Sequence, residues 1–149
     1  MEFTTKSPSQ TQKLGQKISA DITSGRISPV IALSGDLGSG KTTFVQGLAK
    51  GLGVTGRIIS PTFILMRKYD LPSEEDKNSE RTLYHVDLYR LEGALDKEIL
   101  NLGLPYIWSD PSNIVLIEWA EKIKSLIPSG ASWITFENMG EALRKITLK

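Results

Sequence analysis

The sequence contains no cysteine and only one histidine in 149 residues. The lack of cysteine excludes disulfides, thiolate zinc sites, iron–sulfur clusters and a cysteine nucleophile, and a single histidine cannot form a histidine-rich metal site. No apolar run approaches the roughly 20 residues that a membrane-spanning helix needs, and the polar first residues lack the apolar core of a signal peptide. We therefore expect a cytoplasmic protein without a membrane partner.

The chain also carries almost no net charge. Lys and Arg number 18 and Asp and Glu number 17, which gives a formal charge of +1. Because a dedicated nucleic-acid-binding surface is usually markedly basic, this charge balance argues against direct binding of RNA or DNA. Hydrophobic residues at 40% and charged residues at 23% are typical of a globular chain. At about 100–200 residues per domain, residues 1–149 are predicted to form a single domain.

Apolar residues follow helical spacing in some segments and form strand-like runs in others. Helices are predicted at about residues 11–22, 41–52, 94–102 and 120–126. Strands are predicted at residues 30–33, 63–66, 83–86 and 114–117, with a closing hairpin at 133–136 and 145–148. The polar segment 72–81 is predicted to be an exposed loop. Strands that alternate with helices predict an α/β sandwich with a mostly parallel central sheet, followed by a C-terminal antiparallel hairpin.

The clearest motif is GDLGSGKT at residues 35–42, which matches G-x-x-x-x-G-K-[ST] in full. An apolar strand comes directly before this segment, which we call the phosphate loop, and an amphipathic helix follows it. Glycines allow the backbone to curl so that successive N–H groups point at phosphate oxygens. The helix N-terminus adds about half a positive charge. The loop predicts a nucleoside triphosphate site in a three-layer sandwich of the P-loop NTPase type.

Side chains of the phosphate loop have predicted roles in binding ATP and Mg²⁺. Lys41 supplies a full positive charge for the β- and γ-phosphates, and the Thr42 hydroxyl is a ligand for Mg²⁺. The Asn-Lys-x-Asp element that Ras-type GTPases use for guanine is missing from this sequence, which favours ATP over GTP. The residues of this segment that are predicted to bind the nucleotide are Asp36, Leu37, Gly38, Ser39, Gly40, Lys41, Thr42 and Thr43.

Two acidic residues at the ends of predicted strands are candidates for catalysis together with Lys41. Asp87 follows residues 83–86, and Glu118 follows residues 114–117. A phosphoryl-transfer site needs an acid in the magnesium shell and a group that orients the attacking water. We favour Glu118 as the second magnesium ligand beside Thr42, and Asp87 for a role with water or as part of a switch. The sequence leaves this division of roles open.

Three further residues lie near these motifs. Thr62 belongs to Ser60-Pro61-Thr62, which we call the switch turn; it either reaches magnesium and the γ-phosphate or simply leads into a strand. Trp119 directly follows Glu118 and either packs in the core, shields the site, or contacts the nucleotide or a partner. His85 lies in the middle of a predicted strand, where a packed sheet residue is expected rather than a general base.

Two other functions share a phosphate loop. A small-molecule or nucleoside kinase usually closes an Arg-rich lid over the transferring phosphate, whereas the most polar loop here carries the net acidic residues 74–77. A non-hydrolysing module in which ATP only sets an interface is the second alternative. Without an identifiable arginine finger, hydrolysis in isolation is predicted to be slow. The arginines considered for that role are Arg57, Arg67, Arg81 and Arg90.

Taken together, the motifs resemble those of the TsaE family, small bacterial P-loop ATPases of tRNA threonylcarbamoyladenosine (t6A) synthesis. The resemblance covers roughly residues 11–137, and the segments HVDLYRL at 85–91 and IEWAE at 117–121 make it specific. The other matching segments are TQKLG at 11–15, the phosphate loop with Thr43, and SPTF at 60–63.

The resemblance implies a protein that binds ATP, hydrolyses it slowly and acts with TsaB and TsaD, which transfer a threonylcarbamoyl group to tRNA. Contact with tRNA is then only indirect, and the chain alone is expected to be a monomer. By position, Lys41 matches the phosphate binders, Thr42 and Glu118 the magnesium site, and Asp87 a second essential acid. The remaining matches are Thr62 to a switch-like loop, Trp119 to a residue near the nucleotide, and Thr11 to an adenine-side contact.

Overall fold

A computed structural model describes residues 1–72 and 81–149. The predicted loop 72–81 therefore lies almost entirely outside the described residues. The helices of the described part are α1 Pro8–Thr23, α2 Lys41–Gly51, α3 Asp96–Asn101, α4 Leu104–Ser109 and a short 3₁₀ helix at Ala120–Ile123. Its strands are β1 Glu2–Thr5, β2 Val30–Gly35, β3 Met66–Leu71, β4 Arg81–Asp87, β5 Asn113–Glu118, β6 Ser132–Asn138 and β7 Arg144–Leu148.

The strands of the described residues form one sheet of seven strands in the order β1-β7-β6-β2-β5-β4-β3. The four central strands β6, β2, β5 and β4 are parallel to one another. The outer strands β7, β1 and β3 pair antiparallel with their neighbours. The predicted parallel centre and C-terminal hairpin are both confirmed.

Both faces of the sheet are covered, because alternate residues of the central strands enter two separate cores. Ile114 and Leu116 of β5 pack in a core with residues of α1 and α2. Val115 and Ile117 of the same strand pack in a second core with residues of α3, α4 and the 3₁₀ helix. This three-layer arrangement is the architecture that the sequence predicts.

Helices α1 and α2 lie against each other at glycines. A Cβ atom added to Gly15 would collide with the backbone of Phe44 and Leu48, and one added to Gly47 would collide with the backbone of Gln12. The two backbones therefore approach so closely that no side chain fits between them at these positions. This contact holds residues 12–15 of α1 against residues 44–48 of α2.

Some local predictions were wrong. The apolar residues 63–66 do not form a strand: Phe63 and Ile64 are 79% and 55% exposed in a turn, and β3 begins only at Met66. The helix predicted over 120–126 is only the 3₁₀ helix, and β1 and α4 were not predicted. No helix in the described ranges has the length and apolar character that crossing a membrane requires.

Candidate functional site

The phosphate loop connects the C-terminal end of β2 to the N-terminus of α2. Its glycines Gly35, Gly38 and Gly40 have φ values of 143°, 74° and 103°. These values lie in the left-handed region, which glycine adopts without steric strain. Gly40 precedes the first residue of α2 and has no side chain to cap it, so the first N–H groups of an 11-residue helix face the loop without a side-chain acceptor. This geometry suits an anion.

Lys41 lies within the loop, and its residue is only 5% exposed. Its Nζ donates to the carbonyl oxygens of Gly35 and Asp36, the latter at 2.8 Å, and lies 4.2 Å from the ring centroid of Trp119. Burial lowers the pKa of the Lys41 ammonium, although nearby carboxylates, first among them Glu118, oppose that shift. The ammonium is thus a largely desolvated cation at the centre of the loop.

The two candidate acids lie side by side at the carboxyl edge of the sheet. Asp87 of β4 and Glu118 of β5 are partners in the parallel register and are 3% and 2% exposed. Glu118 Oε1 accepts a hydrogen bond from the Thr42 hydroxyl at 3.0 Å. Glu118 is therefore the acid that touches the phosphate loop.

Asp87 contacts a different segment. Its Oδ2 accepts hydrogen bonds from the hydroxyls of Ser60 and Thr62, both at 2.8 Å, and its Oδ1 accepts from the backbone N–H of Tyr89 at 2.9 Å. The same acid therefore attaches the switch turn to the end of β4. The tertiary structure thus gives the two neighbouring carboxylates different partners: Glu118 is bonded to the phosphate loop and Asp87 to the switch turn.

Trp119 lies between the second core and the phosphate loop. It packs against the second core, and its ring also lies beside Lys41 and 5.1 Å from the ring of Tyr89. Its φ of 61° is unusual for a residue other than glycine. This backbone turn directs the chain from β5 into the 3₁₀ helix while the indole covers one side of the loop.

These residues line a cavity of about 250 Å³. Thr11 lies in its wall, but the Thr11 hydroxyl is bonded to Thr5 Oγ1 at 2.8 Å and its methyl group faces Gly40. Of the predicted residues only Asp36 is absent from the lining, and its carbonyl oxygen accepts a hydrogen bond from Lys41. The predicted residues that line the cavity are Thr11, Leu37, Gly38, Ser39, Gly40, Lys41, Thr42, Thr43, Thr62, Asp87, Glu118 and Trp119.

Sequence reasoning missed several lining residues. Arg144, in the C-terminal hairpin, donates from Nη2 to the carbonyl of Gly38 at 3.2 Å, and no local motif marks it. Ser60 and Tyr89 belong to two of the motifs, but the motifs alone indicate no role for them. Pro8 and Ala142 complete the additions to the wall.

The oxygen atoms of Thr42 and Glu118 are of the kind that Mg²⁺ prefers. No group of three or more His, Cys, Asp or Glu side chains able to hold a metal occurs among residues 1–72 and 81–149. A magnesium ion at Thr42 and Glu118 would therefore depend on phosphate oxygens and water for its other ligands. That is the usual way in which nucleotide-binding proteins hold this ion.

Comparison with known proteins gives consistent matches. A family model described as "Threonylcarbamoyl adenosine biosynthesis protein TsaE" matches residues 5–146. A "tRNA threonylcarbamoyladenosine biosynthesis protein TsaE" from Bacillus subtilis is 33% identical over 147 residues, which cover 99% of this chain and 84% of the relative. The protein of the same name from Nostoc is 44% identical over 116 residues. That match covers 76% of this chain and 64% of the relative, just under two thirds of its length.

A solved structure agrees with these sequence matches. The crystal structure of YdiB from Bacillus subtilis superposes with a TM-score of 0.67 and 31% identity, covering 99% of this chain and 83% of that one. The family match spans the phosphate loop, the switch turn and both acids. The chain therefore belongs to the TsaE family of threonylcarbamoyl adenosine biosynthesis proteins.

Proposed function

We propose that this chain is a Mg²⁺-dependent ATP-binding protein with slow ATPase activity in t6A modification of tRNA, and that it acts on a complex of the TsaB–TsaD type. One observation carries the proposal. The phosphate loop places Lys41 and the uncapped N-terminus of α2 together, with Thr42 bonded to Glu118 at 3.0 Å. Membership of the TsaE family supplies the biological process.

Each part of the site has a chemical task in this proposal. Lys41 and the amides of the loop bind the phosphates, and Thr42 and Glu118 hold Mg²⁺. The ion, when bound, neutralises the charge that develops on the transferred phosphoryl group. Trp119 and Tyr89 exclude water from one side of the cavity. Asp87 positions Thr62 of the switch turn, which makes a switch role more fitting for this acid than that of a free base.

Slow turnover follows from the charges around the cavity. Arg144 is the one arginine that lines it among the described residues, and its guanidinium is bonded to Gly38 and to residues of its own hairpin. Because no other arginine of the described residues lines the cavity, we expect a partner to be needed for fast hydrolysis. Contact with tRNA is then made by the partner complex, in keeping with the net charge of +1.

Isothermal titration calorimetry with Mg-ATP tests the binding step. We expect Lys41→Ala to lose most of the affinity, because the loop then lacks its buried cation. Lys50→Ala removes an exposed lysine from the same helix and is the matched control, with unchanged binding. A wild-type chain that binds no Mg-ATP would overturn the proposal.

Phosphate release tests the catalytic step. We expect slow release from the chain alone and faster release when a TsaB–TsaD complex is added. Turnover that requires a small acceptor molecule instead would indicate a kinase. Binding without release, even in single-turnover experiments with the complex, would indicate a nucleotide-dependent binding module.

A further inference from the structure

His85 is the only histidine of the chain, and its side chain in β4 is completely buried. It shares a face of the strand with Leu83 and Asp87, since alternate residues of a strand point the same way. Burial agrees with the predicted packed sheet residue. An imidazole is polar, however, and a buried polar ring requires a partner to offset its lost hydration.

That partner is the acid proposed as a magnesium ligand. His85 Nε2 lies 2.6 Å from Glu118 Oε2, with the two side chains 0% and 2% exposed. A carboxylate that binds Mg²⁺ can only accept a hydrogen bond, so Nε2 is the donor in the proposed site. Nδ1 has no partner among the described residues. A ring with its proton on Nε2 satisfies Glu118 and leaves no buried N–H group without an acceptor.

The two oxygens of the Glu118 carboxylate are hydrogen-bonded to two different elements. Oε2 is held by His85 of β4, and Oε1 by Thr42 of α2. With Oε2 fixed, the remaining freedom of the side chain is small, and Oε1 points at the hydroxyl beside which the ion is proposed to sit. Partners of this kind orient metal ligands in many proteins.

We propose that His85 is a positioning residue that orients Glu118 for Mg²⁺ and does not itself touch the nucleotide. The ring does not line the cavity, so it acts through the carboxylate alone. This inference rests on the proposed magnesium site. It predicts that loss of the Nε2 donor weakens binding of the ion while leaving the metal-free nucleotide contacts intact.

Substitutions of His85 that differ in whether a hydrogen-bond donor stands at the position of Nε2 test this prediction. The amide nitrogen of glutamine can take the place of Nε2, that of asparagine corresponds only to Nδ1, and leucine has no donor. We expect His85→Leu and His85→Asn to weaken the Mg²⁺ dependence of ATP binding about 10-fold or more, and His85→Gln to retain most of it. ATP affinity measured in EDTA should stay close to the wild-type value in all three, since the loop contacts persist.

A matched control separates positioning from general loosening of the strand. Leu83→Ala removes a fully buried side chain from the same face of β4 but leaves the bond to Glu118 in place. It should lower the melting temperature without altering the Mg²⁺ dependence. If His85→Asn binds Mg-ATP like the wild type, or if Leu83→Ala loses Mg²⁺ dependence to the same degree, the positioning role is wrong. A wild-type chain that binds no Mg-ATP overturns the proposed function itself.

Nuclear magnetic resonance gives a second measurement that needs no nucleotide. Because the sequence has one histidine, the imidazole ¹⁵N signals of the chain belong to His85. We expect a long-range ¹H–¹⁵N spectrum to show a protonated Nε2 and an unprotonated Nδ1, and Glu118→Ala to shift the Nε2 signal. A proton on Nδ1 alone would contradict the geometry on which the inference depends.

Discussion

The attachment of the switch turn to Asp87 gives the most quantitative prediction. Asp87 accepts three hydrogen bonds, two from the hydroxyls of Ser60 and Thr62 and one from the N–H of Tyr89. Substitution of Asp87 by Asn keeps the volume and removes the charge. It should therefore weaken these bonds without opening a cavity, and it should loosen the switch turn.

The magnitude follows from the number of bonds. A hydrogen bond to a charged group is worth about 1.5–3 kcal/mol, and one between neutral groups about 0.5–1.5 kcal/mol. Three bonds that each lose about 1 kcal/mol give about 3 kcal/mol. The neighbouring carboxylate of Glu118, which is the register partner of Asp87, is relieved of a like charge. We therefore expect Asp87→Asn to lower the free energy of unfolding by about 2–3 kcal/mol.

A double-mutant cycle with Thr62→Val isolates one of these bonds. Urea unfolding of the two single variants and the double variant should give a coupling energy of about 1 kcal/mol, since valine removes the hydroxyl donor. Hydrogen exchange of the backbone amides around the switch turn should be faster in both single variants. Thr55→Val, at an exposed threonine of the same connection, is the control and should be additive with Asp87→Asn.

The outcome that refutes this reasoning is additivity. If the effects of Asp87→Asn and Thr62→Val add within about 0.3 kcal/mol, the bond between them contributes nothing to stability in solution. Unchanged exchange rates in the switch turn would contradict the attachment independently.

Three further predictions concern the loop, the helix pair and the core. ATP affinity measured by calorimetry should decline as the pH rises, and the decline should begin below the ordinary lysine pKa of 10.5. The reason is that burial lowers the pKa of Lys41 and only the protonated form attracts phosphate. Lys41→Met should bind weakly and show no such decline. Gly47→Ala should cost about 1–3 kcal/mol in urea unfolding because its Cβ meets the backbone of α1, whereas Gly130→Ala, which meets nothing within 4 Å, should be neutral. Leu116→Ala, at a side chain with 0% exposure, should cost about 2–5 kcal/mol in the same assay, and Leu100→Ala, at 66% exposure, should cost almost nothing.

The central fold could be predicted because its signals are local. Residues 114–117 are apolar without interruption, and a strand buried on both faces requires such a run. Two of the failed predictions concern segments whose environment is not local. Phe63 and Ile64 are apolar but exposed beside the switch turn, so their hydrophobicity carries no information about strand pairing. Strand β1 contains only four residues and depends on pairing with β7 from the other end of the chain.

The sequence lacks cysteine and has one histidine. By itself it determined the phosphate loop, because this loop joins two consecutive elements and is formed by residues that are adjacent in the chain. It also determined that Asp87 and Glu118 lie at the ends of two strands, and therefore at one edge of a parallel sheet. Only the tertiary structure decided which acid bonds to Thr42 and which to the switch turn, because those hydrogen bonds join residues far apart in the chain. It likewise brought Arg144 to Gly38 and His85 to Glu118. Such pairs depend on strand order and register, which no local pattern encodes.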